Sequence, residues 1–151
     1  MRPWVPVAAL ALALSPLAVV HPVRVTGRSM EPALRNGELA WALRAWCAGA
    51  PERGGQWLVE GPEGLSVKRV VGLPAERVEA KDGEILINGL RLQEPYVELE
   101  DHATGAWDCR DGYLVLGDNR PRSHDGRAWG PLPKSALRSR VLRFGSESGK
   151  N

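Results

Sequence analysis

The rhythm of apolar and polar positions changes once, near residue 20. Pro3–Val20 is a single apolar run with no charge and one hydroxyl, Ser15. As a helix rising about 1.5 Å per residue, these 18 residues reach about 27 Å, close to the ~30 Å hydrocarbon core of a bilayer. Pro3 and Pro6 sit near the start, where proline is tolerated, and Pro16 kinks or ends the helix. A cleaved leader has a shorter apolar region followed by a small-x-small site, and Val19-Val-His-Pro-Val-Arg24 offers none. Residues 1–22 are therefore expected to form an uncleaved membrane anchor. Arg2 favours a cytoplasmic N-terminus, although Arg24 and Arg28 flank the other end.

Beyond this run no helical period returns. Asn36-Gly37 turns into an apolar strand through Leu43, and Trp57–Val59 and Leu65–Val71 read as strands around a Gly61-Pro62 turn. Alternation within the second strand puts Lys68 on the face of Ser66 and Val70. Asp82-Gly83 and Asn88-Gly89 tolerate the positive φ angles of two-residue hairpin turns. They predict a meander of Arg77–Lys81, Glu84–Ile87 and Leu90–Leu92. Residues 93–112 are polar and read as a short surface excursion. Tyr113–Gly117 is a short strand feeding a dense polar loop, Asp118–Gly130, and Arg140–Phe144 is the last strand expected. The chain divides into the anchor, a mainly β, antiparallel domain over 23–145 and a disordered tail over 146–151.

Composition narrows the class. Seventeen glycines and twelve prolines against one phenylalanine suit short elements and many turns. The net charge of +2 is small and mixed along the chain, which excludes the concentrated basic face of a nucleic-acid binder. Cys47 and Cys109 with His21, His102 and His124 lack metal-ligand spacing, so neither metal nor cofactor is expected. The two cysteines are open to a disulfide or to two free thiols.

The candidate chemistry centres on Val25-Thr-Gly-Arg-Ser-Met-Glu-Pro-Ala-Leu34. Gly27 and Pro32 bend this segment and hold Ser29 exposed. A serine hydroxyl needs a base within hydrogen-bond reach. His124 and Asp125 are adjacent, so their side chains diverge and make a poor relay, while His102 and His21 lie in a loop and at the membrane edge. Lys68 is the other candidate. A free lysine is protonated at neutral pH, but burial in an apolar strand lowers its pKa by disfavouring the charge.

Three stretches together resemble the signature boxes of type I signal peptidases, also called leader peptidases: Gly27-Arg-Ser-Met-Glu-Pro-Ala-Leu34, Val67-Lys-Arg-Val-Val-Gly-Leu-Pro74 and Gly117-Asp-Asn-Arg-Pro-Arg-Ser-His-Asp-Gly-Arg127. They occur in the family's order after an apolar span, and the resemblance runs from residue 1 to about 144. It implies a signal-peptidase-like antiparallel fold and a serine endopeptidase with Ser29 as nucleophile and Lys68 as general base. By box position, Ser123 orients the lysine, Asp125 and Arg127 hold the loop as an ion pair, and Asn119 is structural. Met30 helps bury the lysine and line the substrate cleft. Where some relatives place a second oxyanion-donating serine this chain has Gly27, leaving the Ser29 N–H. Gly126 and Ala75-Glu76 also depart from the pattern, away from the dyad. The implied substrates are exported preproteins cut after small-x-small sites, by a monomer whose catalytic domain lies on the outer face of the cell membrane. Two alternatives are a narrower peptidase that matures one pilin or conjugation protein, and an inactive peptide-binding β-domain.

Overall fold

The computed structural model describes residues 19–99 and 101–142. The apolar run through residue 18 and the tail expected over 146–151 lie outside the described residues. Among the described residues no helix is long and apolar enough to cross a membrane.

The first strand, β1 (Val20–Arg24), pairs antiparallel with β2 (Leu39–Arg44), from Val20↔Leu43 to Arg24↔Leu39. The expected anchor boundary at residue 22 thus falls inside a strand. An apolar run reads alike as helix or strand at its end, so composition did not mark the change. β1 is an edge strand and carries Pro22, whose missing N–H an edge tolerates.

β3 (Gln56–Gly61) and β4 (Gly64–Gly72) form the hairpin around Pro62-Glu63. β5 (Arg77–Lys81), β6 (Glu84–Ile87) and β7 (Leu90–Arg91) form the expected meander. Its turns have φ of 52° and 84° at Asp82-Gly83, and 51° and 83° at Asn88-Gly89. Two consecutive positive φ angles match the twist of the flanking strands.

The 93–112 segment is more than a surface excursion. It contains β8 (Gly105–Asp108), which pairs with β5 and completes a four-stranded sheet in the order β7-β6-β5-β8. Trp107 packs on the core beneath this sheet, and Cys109 within that core is 2% exposed. One inward aromatic in a four-residue edge strand is too weak a period to read. Cys47 is exposed and Cys109 buried, and both thiols are free.

The larger sheet has the order β1-β2-β10-β3-β4-β9, with β9 at Leu114–Leu116 and β10 at Leu137–Leu142. The last strand therefore enters the middle of the sheet. Besides strands, the described residues form two 3-10 turns and one short helix, α1 (Gly126–Trp129). β4 feeds three apolar clusters: Val67 packs with Met30 and Val141, Val70 with Trp57 and Val115, and Val71 with Val78 and Leu114. From Val67 to Gly72 the strand is buried on both faces, so the lysine at its centre is enclosed.

Candidate active site

The segment bearing Ser29 is irregular but pinned. Val25, Met30 and Leu34 are 4%, 1% and 3% exposed and share a cluster with Ala40, Val67 and Val141. Val25 N–H donates to the Glu38 carbonyl and Leu34 N–H to that of Met30, at 2.8 and 2.9 Å. Between the apolar pegs Gly27 takes φ +89° and donates its N–H to Asn36 Oδ1 at 2.9 Å. Ser29 is left half-buried on the bend.

Lys68 is 3% exposed, and its Nζ lies 3.0 Å from Ser29 Oγ and 3.2 Å from Ser123 Oγ. Burial is the largest influence on the amine and holds its pKa below the ordinary 10.5, with Arg127 adding to the depression. Asp125, Glu63 and Asp118 pull the other way. A hydroxyl within reach of a desolvated amine is the arrangement of a nucleophile beside its base.

The loop from Gly117 to Arg127 is built on Asp125, which is 1% exposed. Its carboxylate accepts from Gly117 N–H at 2.9 Å, from Arg127 N–H at 3.1 Å, and from Arg127 Nε and Nη2 at 2.9 and 3.0 Å. Burial alone pushes the Asp125 pKa up. Hydrogen bonds from Arg127, the Ser123 hydroxyl and Gly117 outweigh it and hold the carboxyl below its ordinary value. Arg127 also donates to the Arg120 and Ser123 carbonyls, at 2.7 and 3.1 Å, and pairs with Asp101. The backbone that carries Ser123 is tied on both sides.

Two contacts fit the loop against the serine segment. Asn119 N–H donates to the Ser29 carbonyl at 3.0 Å. A Cβ at Gly117 would stand 2.2 Å from Ser123 Oγ and 2.6 Å from the Ser29 carbonyl oxygen. Arg69, the residue after Lys68, grips the loop's other end. Its Nε and Nη2 donate to Asp118 Oδ1 and Oδ2 at 2.7 and 2.6 Å, its Nη1 to the Gly54 carbonyl, and its guanidinium lies 4.0 Å from the Tyr96 ring centroid. Successive residues of β4 thus hold the two parts of the loop.

The structure brings Ser29, Lys68, Ser123, Asp125 and Arg127 together. Asn119 touches the serine segment through its backbone. Met30 is a core residue at 1% exposure, in a cluster with Val67 and Val141. Gly27 has already committed its N–H to Asn36. His124 faces Trp129 and Glu63, and His21 bonds Ser139. Gly117 and the Arg69–Asp118 pair went unassigned from sequence, although both lie within the quoted boxes.

The family model described as "Signal peptidase, peptidase S26" matches residues 1–144. Signal peptidase IB of Staphylococcus aureus strain Mu50 is 32% identical over 149 residues, covering 83% of this chain and 78% of the relative. Signal peptidase I of Leptolyngbya laminosa is 43% identical over 81 residues, covering 52% of this chain and 40% of the relative. A crystal structure of a signal peptidase I from Enterococcus faecalis V583 superposes with a TM-score of 0.51 at 30% identity, covering 62% of this chain and 97% of that one. The chain belongs to the signal peptidase family, peptidase S26, and is a serine peptidase.

Proposed function

We propose that this protein is a membrane-anchored signal peptidase in which Ser29 is the nucleophile and Lys68 the general base. The observation that carries the reading is the buried Lys68 amine, 3.0 Å from Ser29 Oγ and held below its ordinary pKa. Neutral lysine has one lone pair and two N–H groups. Ser123, with its hydroxyl engaged by Asp125, accepts one of those N–H groups and so turns the lone pair toward Ser29. As Oγ attacks the scissile carbonyl, its proton passes to Nζ and then to the departing amine. The resulting acyl-enzyme is hydrolysed by a water that Lys68 deprotonates in turn. The Ser29 N–H serves the tetrahedral oxyanion. Gly27 adds no side-chain donor, and its own N–H is held by Asn36.

An extended substrate has a place to bind. β9 pairs with β4 only from Arg69 to Gly72, whereas β3 pairs with it from Gly64 to Arg69. The opposite edge of Gly64–Val67 has no strand partner among the described residues. Val70 bonds Gly54 and Gly55 on the β3 side, and alternation then directs the backbone groups of Leu65 and Val67 to the free edge. A preprotein cut after a small-x-small sequence adds there as a strand. The N-terminal apolar segment, expected as an anchor over residues 1–22, holds the enzyme with its N-terminus in the cytoplasm and its catalytic domain on the outer face, where cleavage sites emerge.

The test is cleavage of a peptide containing Ala-x-Ala by the purified chain, Ser29→Ala and Lys68→Arg. Both variants are expected to fold and to lose activity, since guanidinium keeps its proton. Full activity in Lys68→Arg overturns the dyad.

A further inference from the structure

Beside the serine bend lies a groove of about 420 Å³ that the proposed mechanism leaves unused, walled by Pro32 and Leu99 and rimmed by Glu31, Arg35 and Arg122. Asn119 lines it. This residue is 7% exposed, and its Oδ1 is enclosed with no hydrogen-bond partner among the described residues. A buried amide oxygen left unpaired is destabilising, so the position asks for an explanation that fold stability does not supply. The backbone of Asn119 already does the structural work, through its bond to the Ser29 carbonyl. Its side chain contributes nothing to that bond.

Topology says which part of a substrate the groove meets. A strand added along Gly64–Val67 cannot continue along β4, because β9 occupies the edge from Arg69 onward. Past Val67 an added peptide must leave the sheet, and the groove of Glu31, Pro32 and Asn119 begins two residues along the chain from Ser29. The rim carries both signs of charge, which favours no charged side chain and suits recognition of the main chain.

We infer that the Asn119 side-chain amide hydrogen-bonds the substrate backbone just after the scissile bond, making this groove the subsite for the first residues of the mature protein. The inference rests on the proposed Ser29–Lys68 reaction. Asn119 is a substrate-positioning residue here. A net gain of about 1–1.5 kcal/mol per hydrogen bond corresponds to roughly 10-fold in kcat/KM.

The experiment compares two substrates on the full chain in detergent. One is an Ala-x-Ala peptide continuing for five residues past the bond, and the other is the same peptide ending in an anilide leaving group. Asn119→Ala is expected to lose roughly 10-fold in kcat/KM on the extended peptide and to cleave the anilide like wild type. Leu99→Glu, on an exposed wall residue, checks the groove without touching the loop and is expected to weaken only the extended peptide. Equal losses on both substrates make Asn119 a purely structural residue and overturn the inference, as does no loss on either. If Lys68→Arg cleaves both substrates like wild type, the underlying dyad fails instead, and the two failures are thereby told apart.

Discussion

Adding one methyl group at Gly117 tests how tightly the serine bend and the loop are fitted. In Gly117→Ala the new Cβ would stand 2.2 Å from Ser123 Oγ, 2.6 Å from Ser123 Cβ and 2.6 Å from the Ser29 carbonyl oxygen. Ordinary carbon contacts begin near 3.5 Å, so relief requires roughly 1 Å of movement. It cannot come from a flexible side-chain tip alone. The Ser29 carbonyl is backbone, bonded to Asn119 N–H, and Ser123 Oγ bonds Lys68. The displacement therefore separates the three atoms whose spacing the chemistry needs. Overpacking of this kind costs about 1–3 kcal/mol of stability, while a ~1 Å misplacement costs on the order of 10²-fold in rate. Gly72→Ala is the control. Its Cβ would crowd Cys109 Sγ and Val78 Cγ2, both at 2.6 Å, with no contact to Ser29 or Ser123. Thermal unfolding and kcat/KM on an Ala-x-Ala peptide are measured for both variants. Both are expected to melt earlier, but only Gly117→Ala to lose most of its activity. A Gly117→Ala enzyme within a few-fold of wild type refutes the reasoning.

Two further outcomes follow from the charges. Activity should rise with pH along a single ionisation below 10.5 as Lys68 loses its proton. Because the folded pKa is depressed, the unfolded chain binds the extra proton between the folded value and 10.5, so this lysine also makes stability rise with pH across that window. Denaturant titrations and kcat/KM profiles check both, and a Lys68→Met variant that keeps the same stability slope contradicts the assignment. Separately, Asp118→Ala strands the Arg69 guanidinium, at 8% side-chain exposure, and should cost about 3–5 kcal/mol in denaturant unfolding. The double change Arg69→Met with Asp118→Leu should recover most of it, and a single-variant cost near zero rejects the pair as a structural tie.

Much of the scaffold is legible because its signals are local. Asp82-Gly83 and Asn88-Gly89 specify their hairpins through backbone angles that few other residues adopt. Alternation in Leu65–Val71 places Lys68 on one face of its strand, and β4 carries it there. What stayed hidden depends on which strands meet. Arg69 finds Asp118 because β9 returns beside β4 after the whole second sheet, and no local pattern announces that. Met30 illustrates a different limit: an apolar residue beside Ser29 reads the same as core peg or cleft wall in the sequence, and the structure places it in the core at 1% exposure. Gly117 reads as a turn glycine, whereas its lack of a side chain is required by Ser123 and the Ser29 carbonyl.

The loop also solves an electrostatic problem that geometry alone conceals. Orienting Ser123 takes a buried acceptor, and the acceptor present is Asp125, a carboxylate that raises the Lys68 pKa. The field of that carboxylate favours the charged amine and so works against desolvation. Arg127 eases the conflict. It binds both Asp125 oxygens, at 2.9 and 3.0 Å, and itself lowers the Lys68 pKa. The ion pair thus supplies the hydrogen bonds of a carboxylate while a cation offsets part of its field. Burial remains the largest influence on the Lys68 amine and holds its pKa below the ordinary value, against the opposing pull of Asp125 and Asp118.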